Sequence, residues 1–139
     1  VIPGLIYRFH EAKINRIPKV TIWGTGKPRR EFLFVDDMAK ASIYLMNLNK
    51  SVLKKYIKQH NHINVGTGTD ITIKELSDII KDVVGFQGEI NFDSTKLDGV
   101  QSKLLNSQLL NDLGWYPKVK LQYGLKETYK NFLKNNENF

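Results

Sequence analysis

The chain has 139 residues, of which 41% are hydrophobic and 25% are charged, as expected for one globular domain with a substantial core. It has no cysteine, which excludes disulfides, cysteine nucleophiles and thiolate metal sites and fits a reducing compartment such as the cytoplasm, and no run approaches the ~18 apolar residues of a membrane span. The formal net charge of +7 favours a polyanionic partner, and a nucleotide suits that charge as well as nucleic acid does.

The first half of the chain is predicted to contain two helices and two strands. In chain order, these are a helix from Pro3 to Asn15, a strand from Val20 to Trp23, a loop through Gly24, Gly26 and Pro28, a strand from Arg30 to Val35, and a helix from Met38 to about Leu48. Asp36-Asp37 is predicted to cap the second helix, and residues 32–35, apolar on both faces, indicate a strand covered on both sides. Residues 49–61 are predicted to form a lysine-rich connector with a helical turn at 52–56.

The second half continues the alternation of strands and helices. The predicted elements are a strand from His62 to Val65 that ends at Gly66-Thr67-Gly68, a helix opened by a capping box from Thr72 to Glu75 and ended by Gly85, a strand from Glu89 to Phe92, an irregular stretch over 93–106, a short helix from Ser107 to Leu113 stopped by Gly114, and a last helix marked by Leu121 to Leu133. The tail from Asn135 to Phe139 is expected to fray. Short strands that alternate with helices in this way predict an α/β fold.

Cations stand beside the first glycine loop. Arg30 lies at the mouth of the predicted second strand, next to Lys27 and Arg29, and three cations around flexible backbone suit a phosphate-bearing ligand. An ion pair at a solvated rim explains the same arginine equally well, its partner being one of the acidic neighbours Glu31, Asp36 or Asp37. Arg8 on the first helix has a similar alternative, an intrahelical pair with Glu11 worth only ~0.2–0.5 kcal/mol.

Cofactor and catalytic motifs fit this chain poorly. A dinucleotide-binding loop needs G-x-G-x-x-G between a strand and a helix, but the first Gly-Thr-Gly triplet leads into a strand and neither triplet has the third glycine. Tyr116 and Lys120 have the Tyr-x-x-x-Lys spacing of short-chain reductases, but Pro117 argues against a helix there. The three histidines have no metal-ligand spacing, and His10 is predicted to pack or to face solvent. The residues therefore indicate a binding surface without a catalytic centre.

Several short segments along the chain together form the pattern of a known protein family. They are Val1-Ile-Pro, Arg8-Phe-His-Glu-Ala12, Trp23-Gly-Thr-Gly, Arg30-Glu-Phe-Leu-Phe-Val-Asp-Asp-Met-Ala39, His62-Ile-Asn-Val-Gly-Thr-Gly68, Asp98-Gly99, Gly114-Trp-Tyr116 and Gly124-Leu-Lys-Glu-Thr-Tyr129. With these segments the whole chain resembles the C-terminal part of the GDP-L-fucose synthases, a family of extended short-chain dehydrogenases/reductases. The Arg-Glu-Phe-x-x-Val-Asp-Asp segment is shared by many nucleotide-sugar epimerases and dehydratases, whereas Arg-Phe-His-Glu-Ala together with Trp-Gly-Thr-Gly is more specific.

The resemblance implies an NADPH-dependent conversion of GDP-4-keto-6-deoxy-D-mannose to GDP-L-fucose, by epimerisation at C3 and C5 and hydride reduction at C4. It also implies that the NADP-binding Rossmann domain and the family's catalytic Ser, Tyr-x-x-x-Lys, Cys and His lie N-terminal to Val1. Residues 1–139 are thus expected to be the substrate-binding domain of a longer chain, inactive alone and without a metal. The family further implies a homodimer paired mainly through the missing half, so this chain alone is expected to be a monomer.

The family's substrate contacts, carried over residue by residue, fall on Arg8, Trp23, Arg30, Asp98 and Lys103. The resemblance implies that the three cations neutralise the GDP pyrophosphate, that Trp23 offers a flat apolar face and an N–H donor, and that Asp98 accepts hydroxyl hydrogens. The family's usual Lys-Pro-Asp-Gly-Thr-Pro-Arg-Lys appears here as Lys96-Leu-Asp-Gly-Val-Gln-Ser-Lys103. Because both prolines are missing, this loop is expected to be more mobile, which weakens the case for Lys103.

Two other function classes stay open on the sequence. One is the equivalent domain of a sibling epimerase or dehydratase that takes a UDP or dTDP sugar. The other is a basic nucleic-acid-binding domain, which only the net charge supports, since no aromatic-basic RNA-binding motif is present. No membrane partner is expected.

Overall fold

The structure is a computed structural model that describes residues 1–56 and 62–136. These residues form two compact units. Unit 1 is built from residues 1–30, 71–102 and the described residues from 122 onward, and unit 2 from the described residues of 31–70 and 103–121. None of the helices in the described ranges is long and apolar enough to cross a membrane.

Helices and short strands alternate along the chain, which confirms the predicted α/β class. Their bounds are α1 (Ile2–Ile14), β1 (Lys19–Trp23), β2 (Arg29–Glu31), α2 (Val35–Asn47), α3 (Lys50–Tyr56), β3 (Asp70–Thr72), α4 (Ile73–Val84), β4 (Glu89–Asp93), β5 (Ser102–Lys103), α5 (Gln108–Asp112) and α6 (Leu121–Asn136). The strands form a two-stranded sheet of order β1-β4 and a three-stranded sheet of order β3-β2-β5. The predicted strands over 20–23 and 89–92 and the predicted helices over 3–15, 72–84, 107–113 and 121–133 are confirmed, to within a few residues at their ends.

The core of unit 1 lies where α1 and α4 meet the parallel pair of β1 and β4. The register of this pair runs from Lys19 opposite Glu89 to Trp23 opposite Asp93, so both strands end at the same edge. Side chains alternate along β1, and its second and fourth residues, Val20 and Ile22, point into the core. The other buried apolar side chains of this unit are Leu5, Ile6, Phe9, Ala12, Leu76, Ile80, Val84, Phe86 and Leu125.

The start and the end of α4 are both fixed by side chains. Thr72 accepts the backbone amide of Glu75 at 3.0 Å, and the Glu75 carboxylate accepts the backbone amide of Thr72 at 2.8 Å, so the predicted capping box is confirmed. Gly85 ends the helix in the left-handed conformation with φ of 72°. The Lys13 ammonium donates to the carbonyl of Val84 at 2.7 Å, where the helix dipole favours a cation.

Unit 2 has a small core of its own, formed by Ala41, Leu110 and Trp115. Half-buried apolar side chains from the same unit pack around it: Leu33, Tyr44, Leu45, Ile63 and Val65. Beside this core, the buried Asp37 accepts the backbone amides of Lys118 at 2.8 Å and Val119 at 2.7 Å. A residue expected to cap a helix end therefore fixes the turn before α6.

The predicted strand from Arg30 to Val35 is wrong beyond its second residue, because β2 ends at Glu31 and α2 begins at Val35. Phe34, with φ −69° and ψ 140°, is the N-cap, so Asp36-Asp37 lies inside the first turn and does not cap the helix. The apolar run is not a buried strand, since residues 32–34 are only half-buried and Val35 is 69% exposed.

The predicted strand from His62 to Val65 is also wrong, because these residues form no regular element and β3 forms at Asp70–Thr72 instead. The alternation was correct for burial, since Ile63 and Val65 do pack on the core of unit 2. Alternation places side chains on faces, but it does not supply a neighbouring strand to hydrogen-bond with. The helical turn predicted at 52–56 is confirmed within α3, whereas the rest of the connector, 57–61, and the tail after 136 lie outside the described residues.

Candidate functional site

A cavity of about 410 Å³ in unit 1 brings four of the five predicted site residues together. Its wall consists of residues from α1, the end of β1, the turn that follows, β2, the start of α4 and the loop after β4. The lining residues are Val1, Leu5, Arg8, Ile22, Trp23, Gly26, Pro28, Arg30, Ile73, Leu97, Asp98 and Gly99. The cavity therefore combines an apolar strip with two guanidinium groups, one indole and one carboxylate.

Arg8 reaches the cavity from α1 with part of its guanidinium already oriented by the fold. Its Nε donates to the carbonyl of Gly4 and its Nη1 to the carbonyl of Thr21, each at 3.2 Å. Glu11 instead accepts a hydrogen bond from the Asn15 amide, so the described residues do not show the intrahelical pair of Arg8 with Glu11. A guanidinium has five N–H donors, and two carbonyl bonds leave three for a ligand.

Arg30 enters from β2 and is held in a similar way. Its Nη1 donates to the carbonyl of Arg29 at 2.6 Å and to the carbonyl of Val100 at 2.7 Å. These bonds go to carbonyls, which add no negative charge, and the rim ion pair considered from the sequence is not formed within the described part of the chain. The Arg30 guanidinium therefore forms no ion pair with Glu31, Asp36 or Asp37, and its Nη2 and Nε remain as donors.

The N-terminus of α4 also borders the cavity, but its first amides are used inside the protein. The amide of Ile73 donates to the carbonyl of Pro28 and that of Lys74 donates to the carbonyl of Gly26, both at 2.9 Å. The third amide, that of Glu75, donates to the hydroxyl oxygen of Thr72 in the capping box. An anion in this cavity must therefore be held by the arginines and not by the amides of a helix start.

Trp23 stands at the end of β1 with 72% of its surface exposed. The Lys96 ammonium lies 5.7 Å from the centroid of its ring, within the range of a cation–π contact. An exposed indole beside two arginines can stack on a planar group or donate its N–H. Leu97 on the opposite loop is 97% exposed and extends the apolar rim.

Asp98 lines the cavity while both of its carboxylate oxygens bind Thr25. Oδ1 accepts the Thr25 amide at 2.8 Å, and Oδ2 accepts the Thr25 hydroxyl at 2.6 Å. These two bonds, with a smaller contribution from the charge of Lys27, hold the pKa of Asp98 below its ordinary value even though burial acts in the opposite direction. Asp98 is therefore a charged, oriented acceptor, and its remaining lone pairs are available to a ligand hydroxyl.

Lys103 lies in β5, belongs to unit 2 and is exposed. It is not among the residues that line the unit 1 cavity, and its predicted role stays a prediction. The sequence did not single out Thr25, Leu97 or Ile73. A signal for Thr25 existed in the Gly-Thr-Gly triplet, because glycines on both sides let the turn approach another loop closely.

Unit 2 has a second cavity of about 600 Å³, lined mainly by α2 and residues 114–118. Its carboxylate, Asp37, is buried and has one oxygen engaged by two backbone amides, and its cations are the flexible Lys40 and Lys118. The unit 1 cavity is the better candidate despite its smaller volume, because its arginines are held in place by the backbone. Within residues 1–56 and 62–136 there is no group of three or more His, Cys, Asp or Glu side chains that could hold a metal ion.

The Gly-Thr-Gly triplets do not form a dinucleotide site in the described part of the chain. The first connects β1 to β2, and the second precedes β3 and not a helix. In the second triplet, Glu31 accepts the amide of Gly68 at 2.7 Å and the hydroxyl of Thr67 at 3.2 Å, so the turn binds a carboxylate of the protein itself. The residues present therefore do not fit the pyrophosphate of NADP at either triplet.

Comparison with known proteins identifies relatives over nearly the whole chain. Residues 1–66 match the NAD dependent epimerase/dehydratase family. The chain is 50% identical over 140 residues to the GDP-L-fucose synthase of Escherichia coli (strain K12), a match that covers 100% of this chain and 44% of that protein. It is 49% identical over 135 residues to the probable GDP-L-fucose synthase 1 of Oryza sativa subsp. japonica, covering 97% of this chain and 39% of that protein. The chain therefore spans about two fifths of the length of these relatives.

Solved structures agree with this assignment. A GDP-L-fucose synthetase from Naegleria fowleri superposes with a TM-score of 0.86 at 26% identity, over 99% of this chain and 40% of that one. A GDP-mannoheptose C4 reductase from Campylobacter jejuni, solved with NADP bound, superposes with a TM-score of 0.82 at 36% identity, over 95% of this chain and 44% of that one. Over nearly its whole length the chain is thus homologous to the C-terminal part of the GDP-L-fucose synthases, and residues 1–66 match the NAD dependent epimerase/dehydratase family.

Proposed function

We propose that this chain is the GDP-sugar-binding part of an NADPH-dependent enzyme that converts GDP-4-keto-6-deoxy-D-mannose to GDP-L-fucose by 3,5-epimerisation and 4-reduction. The observation that supports this most strongly is that Arg8, Arg30 and Trp23 line one cavity. The names of the curated relatives support the choice of sugar and nucleotide.

The two arginines are suited to the diphosphate of such a substrate. A diphosphate carries two or more negative charges and several acceptor oxygens, and guanidinium groups recognise these with paired N–H donors. The hydrogen bonds from Arg8 and Arg30 to backbone carbonyls fix the orientation of both guanidinium groups before the ligand binds. The conformational entropy that these side chains lose on binding is therefore smaller.

The remaining wall is suited to the sugar and the base. Leu5 and Ile22 provide apolar surface, Trp23 provides a flat face and an N–H donor, and Asp98 provides an acceptor for hydroxyl groups. A cavity of this composition holds and orients a nucleotide sugar. Its one carboxylate, Asp98, has a lowered pKa because of its bonds to Thr25, so it is a weak base. This chain is therefore proposed to bind substrate and not to transform it.

We place NADP and the catalytic groups in the part of the protein that this chain does not span. When bound there, NADPH supplies the hydride for reduction at C4. The 139-residue chain alone is expected to consume no NADPH when substrate is present. It is also expected to be a monomer in light scattering, because dimers of the family are expected to pair mainly through helices outside this chain. Turnover by the isolated chain would contradict this division of labour.

Calorimetry with GDP tests the binding role directly. Loss of a hydrogen bond to a charged group costs about 1.5–3 kcal/mol, so Arg30→Ala should weaken GDP binding roughly 10- to 150-fold. The matched control is Lys19→Ala, which removes one positive charge from the other end of β1, and it should change the affinity by less than about twofold. Equal effects of the two variants would show that net charge, and not the cavity, attracts GDP.

Competition among nucleotides separates this proposal from its alternatives. GDP should displace bound GDP-sugar more effectively than UDP or dTDP, whereas a preference for UDP or dTDP would assign the chain to a sibling enzyme. A UDP-glucose 4-epimerase from Thermotoga maritima has the same fold, with a TM-score of 0.74 at 28% identity, so this comparison is needed. Strong binding of single-stranded or duplex nucleic acid that falls steeply with salt would favour the basic nucleic-acid-binding alternative.

A further inference from the structure

We propose that Thr25 is a positioning residue of the binding site, which holds Asp98 and so fixes the loop 96–101 that forms one wall of the cavity. This inference rests on the proposed GDP-sugar-binding role and adds to it a residue that contacts no ligand in that proposal. Thr25 is the central residue of the first Gly-Thr-Gly triplet, whose conformation a dinucleotide site does not explain. The triplet has another partner, which is the loop after β4.

The contact between Thr25 and Asp98 involves both oxygens of the carboxylate. The backbone amide and the side-chain hydroxyl of Thr25 donate to Oδ1 and Oδ2, at 2.8 and 2.6 Å. Two bonds to one planar group fix its orientation as well as its position. Gly24 permits this approach, because its φ is +87° and an added Cβ would collide with the Asp98 carboxylate.

The turn that carries Thr25 is itself anchored, so it can act as a fixed support. The carbonyls of Gly26 and Pro28 accept the first two amides of α4, each at 2.9 Å. On the other side, Gly26 lies against the ring of Phe92, which would be 2.5 Å from an added Cβ. The turn is thus held by hydrogen bonds from the start of α4 and by packing against the ring of Phe92 in β4. Asp98 in turn is held by its hydrogen bonds to Thr25.

The loop has further attachments. The carbonyl of Gln101 accepts the Arg29 amide at 2.8 Å, and two others involve residues with a proposed ligand role. Lys96 lies over the ring of Trp23, and the carbonyl of Val100 accepts Arg30 Nη1 at 2.7 Å. Removing Trp23 or Arg30 would remove a ligand contact together with a loop attachment. Thr25 holds the loop without lining the cavity, so its removal isolates the effect of loop position.

A loop released from Thr25 would have to be ordered again when the ligand binds. Leu97, Asp98 and Gly99 line the cavity from this loop, and Leu97 is almost fully exposed, so apolar contacts hold the loop only weakly. Each side chain immobilised on binding costs about 0.5–1.5 kcal/mol, which corresponds to roughly 2- to 12-fold in affinity. A loop that Thr25 already holds in place avoids that cost, and Thr25 therefore increases the affinity for the ligand without contacting it.

The test uses the 139-residue chain with GDP as the probe and three variants. Thr25→Val removes the hydroxyl at constant shape, Thr25→Ser keeps it, and Thr95→Val is the matched control. Thr95 lies in the segment leading to the loop and donates its hydroxyl to Asp93 at 2.6 Å, two residues away, so its bond stays local. Calorimetry gives the GDP affinity, and amide hydrogen exchange over residues 96–101 gives the order of the loop.

We expect Thr25→Val to weaken GDP binding roughly 3- to 10-fold and to accelerate exchange over 96–101, while Thr25→Ser and Thr95→Val stay within about twofold of the unaltered chain. Faster exchange with unchanged affinity would overturn the positioning role, and unchanged exchange would overturn the anchoring itself. If the unaltered chain binds no GDP, the proposed function fails, and the exchange measurement still decides whether Thr25 holds the loop.

Discussion

The two Gly-Thr-Gly triplets allow one prediction to be worked out in magnitude. Their last glycines, Gly26 and Gly68, have almost the same φ, +74° and +72°. Alanine at either position must adopt the left-handed conformation, which costs about 1–2 kcal/mol. At Gly68 the added Cβ meets nothing within 4 Å, whereas at Gly26 it would lie 2.5 Å from Cε1 of Phe92 and 3.0 Å from two further ring carbons.

The difference between the two variants therefore reports packing and not backbone strain. Overpacking costs about 1–3 kcal/mol, and Phe92 is only half-buried and can give way, so we expect Gly26→Ala to be about 1–2 kcal/mol less stable than Gly68→Ala. For a chain of this size, that corresponds to roughly 3–7 °C in Tm, measured by thermal unfolding followed with circular dichroism.

The same two variants also separate stability from binding. Gly26 lines the unit 1 cavity, so Gly26→Ala should weaken GDP binding as well, whereas Gly68→Ala should leave the affinity unchanged at a temperature where both variants are folded. Equal Tm values for the two variants would refute the packing argument. Equal loss of affinity would refute the assignment of the site to the cavity of unit 1.

Three further predictions concern single side chains. The Asp98 carboxyl should titrate in NMR with a pKa below the ordinary value of an aspartate. The stabilisation from its bonds to Thr25 is therefore fully present above the ordinary pKa and is lost as the pH falls through the lowered pKa. Thr25→Val should raise the pKa of Asp98, and an unchanged pKa would contradict the hydrogen-bond origin of the shift. Asp37→Ala should destabilise the protein by about 2–4 kcal/mol in urea unfolding, because it leaves two part-buried backbone amides without an acceptor, and a loss below about 1 kcal/mol would count against this. Lys13→Met should cost about 0.5–1 kcal/mol by removing the bond to the Val84 carbonyl at the end of α4, and Lys13→Arg should recover most of that loss.

Elements whose signals are local could be predicted from the sequence. The helix α4 has its capping box, its apolar stripe and its terminal Gly85 within 14 residues, and all three appear in the structure as expected. The strands β2 and β3 are three residues long, and their extent depends on neighbours that are distant in sequence. The run of apolar residues after Glu31 predicted a longer strand because its alternation cannot show where the hydrogen-bonding partner ends.

Only part of the candidate site could be predicted from the sequence. Spacing alone left Arg8 and Arg30 undecided between a ligand and an ion pair, and the family resemblance was needed to choose the ligand. The structure supports that choice by placing both guanidinium groups on carbonyls at one cavity. The pairing of Thr25 with Asp98 joins residues 73 positions apart, and no periodicity connects positions so distant.

The parallel pairing of β1 with β4 has a consequence for biosynthesis. Trp23 and Asp93 lie side by side at the end of the pair, so one wall of the cavity is translated long before its counterpart. At about 5–20 residues per second, a ribosome needs roughly 4–15 s to add the 73 residues between Thr25 and Asp98. During that interval β1 lacks the strand with which it pairs in the folded structure.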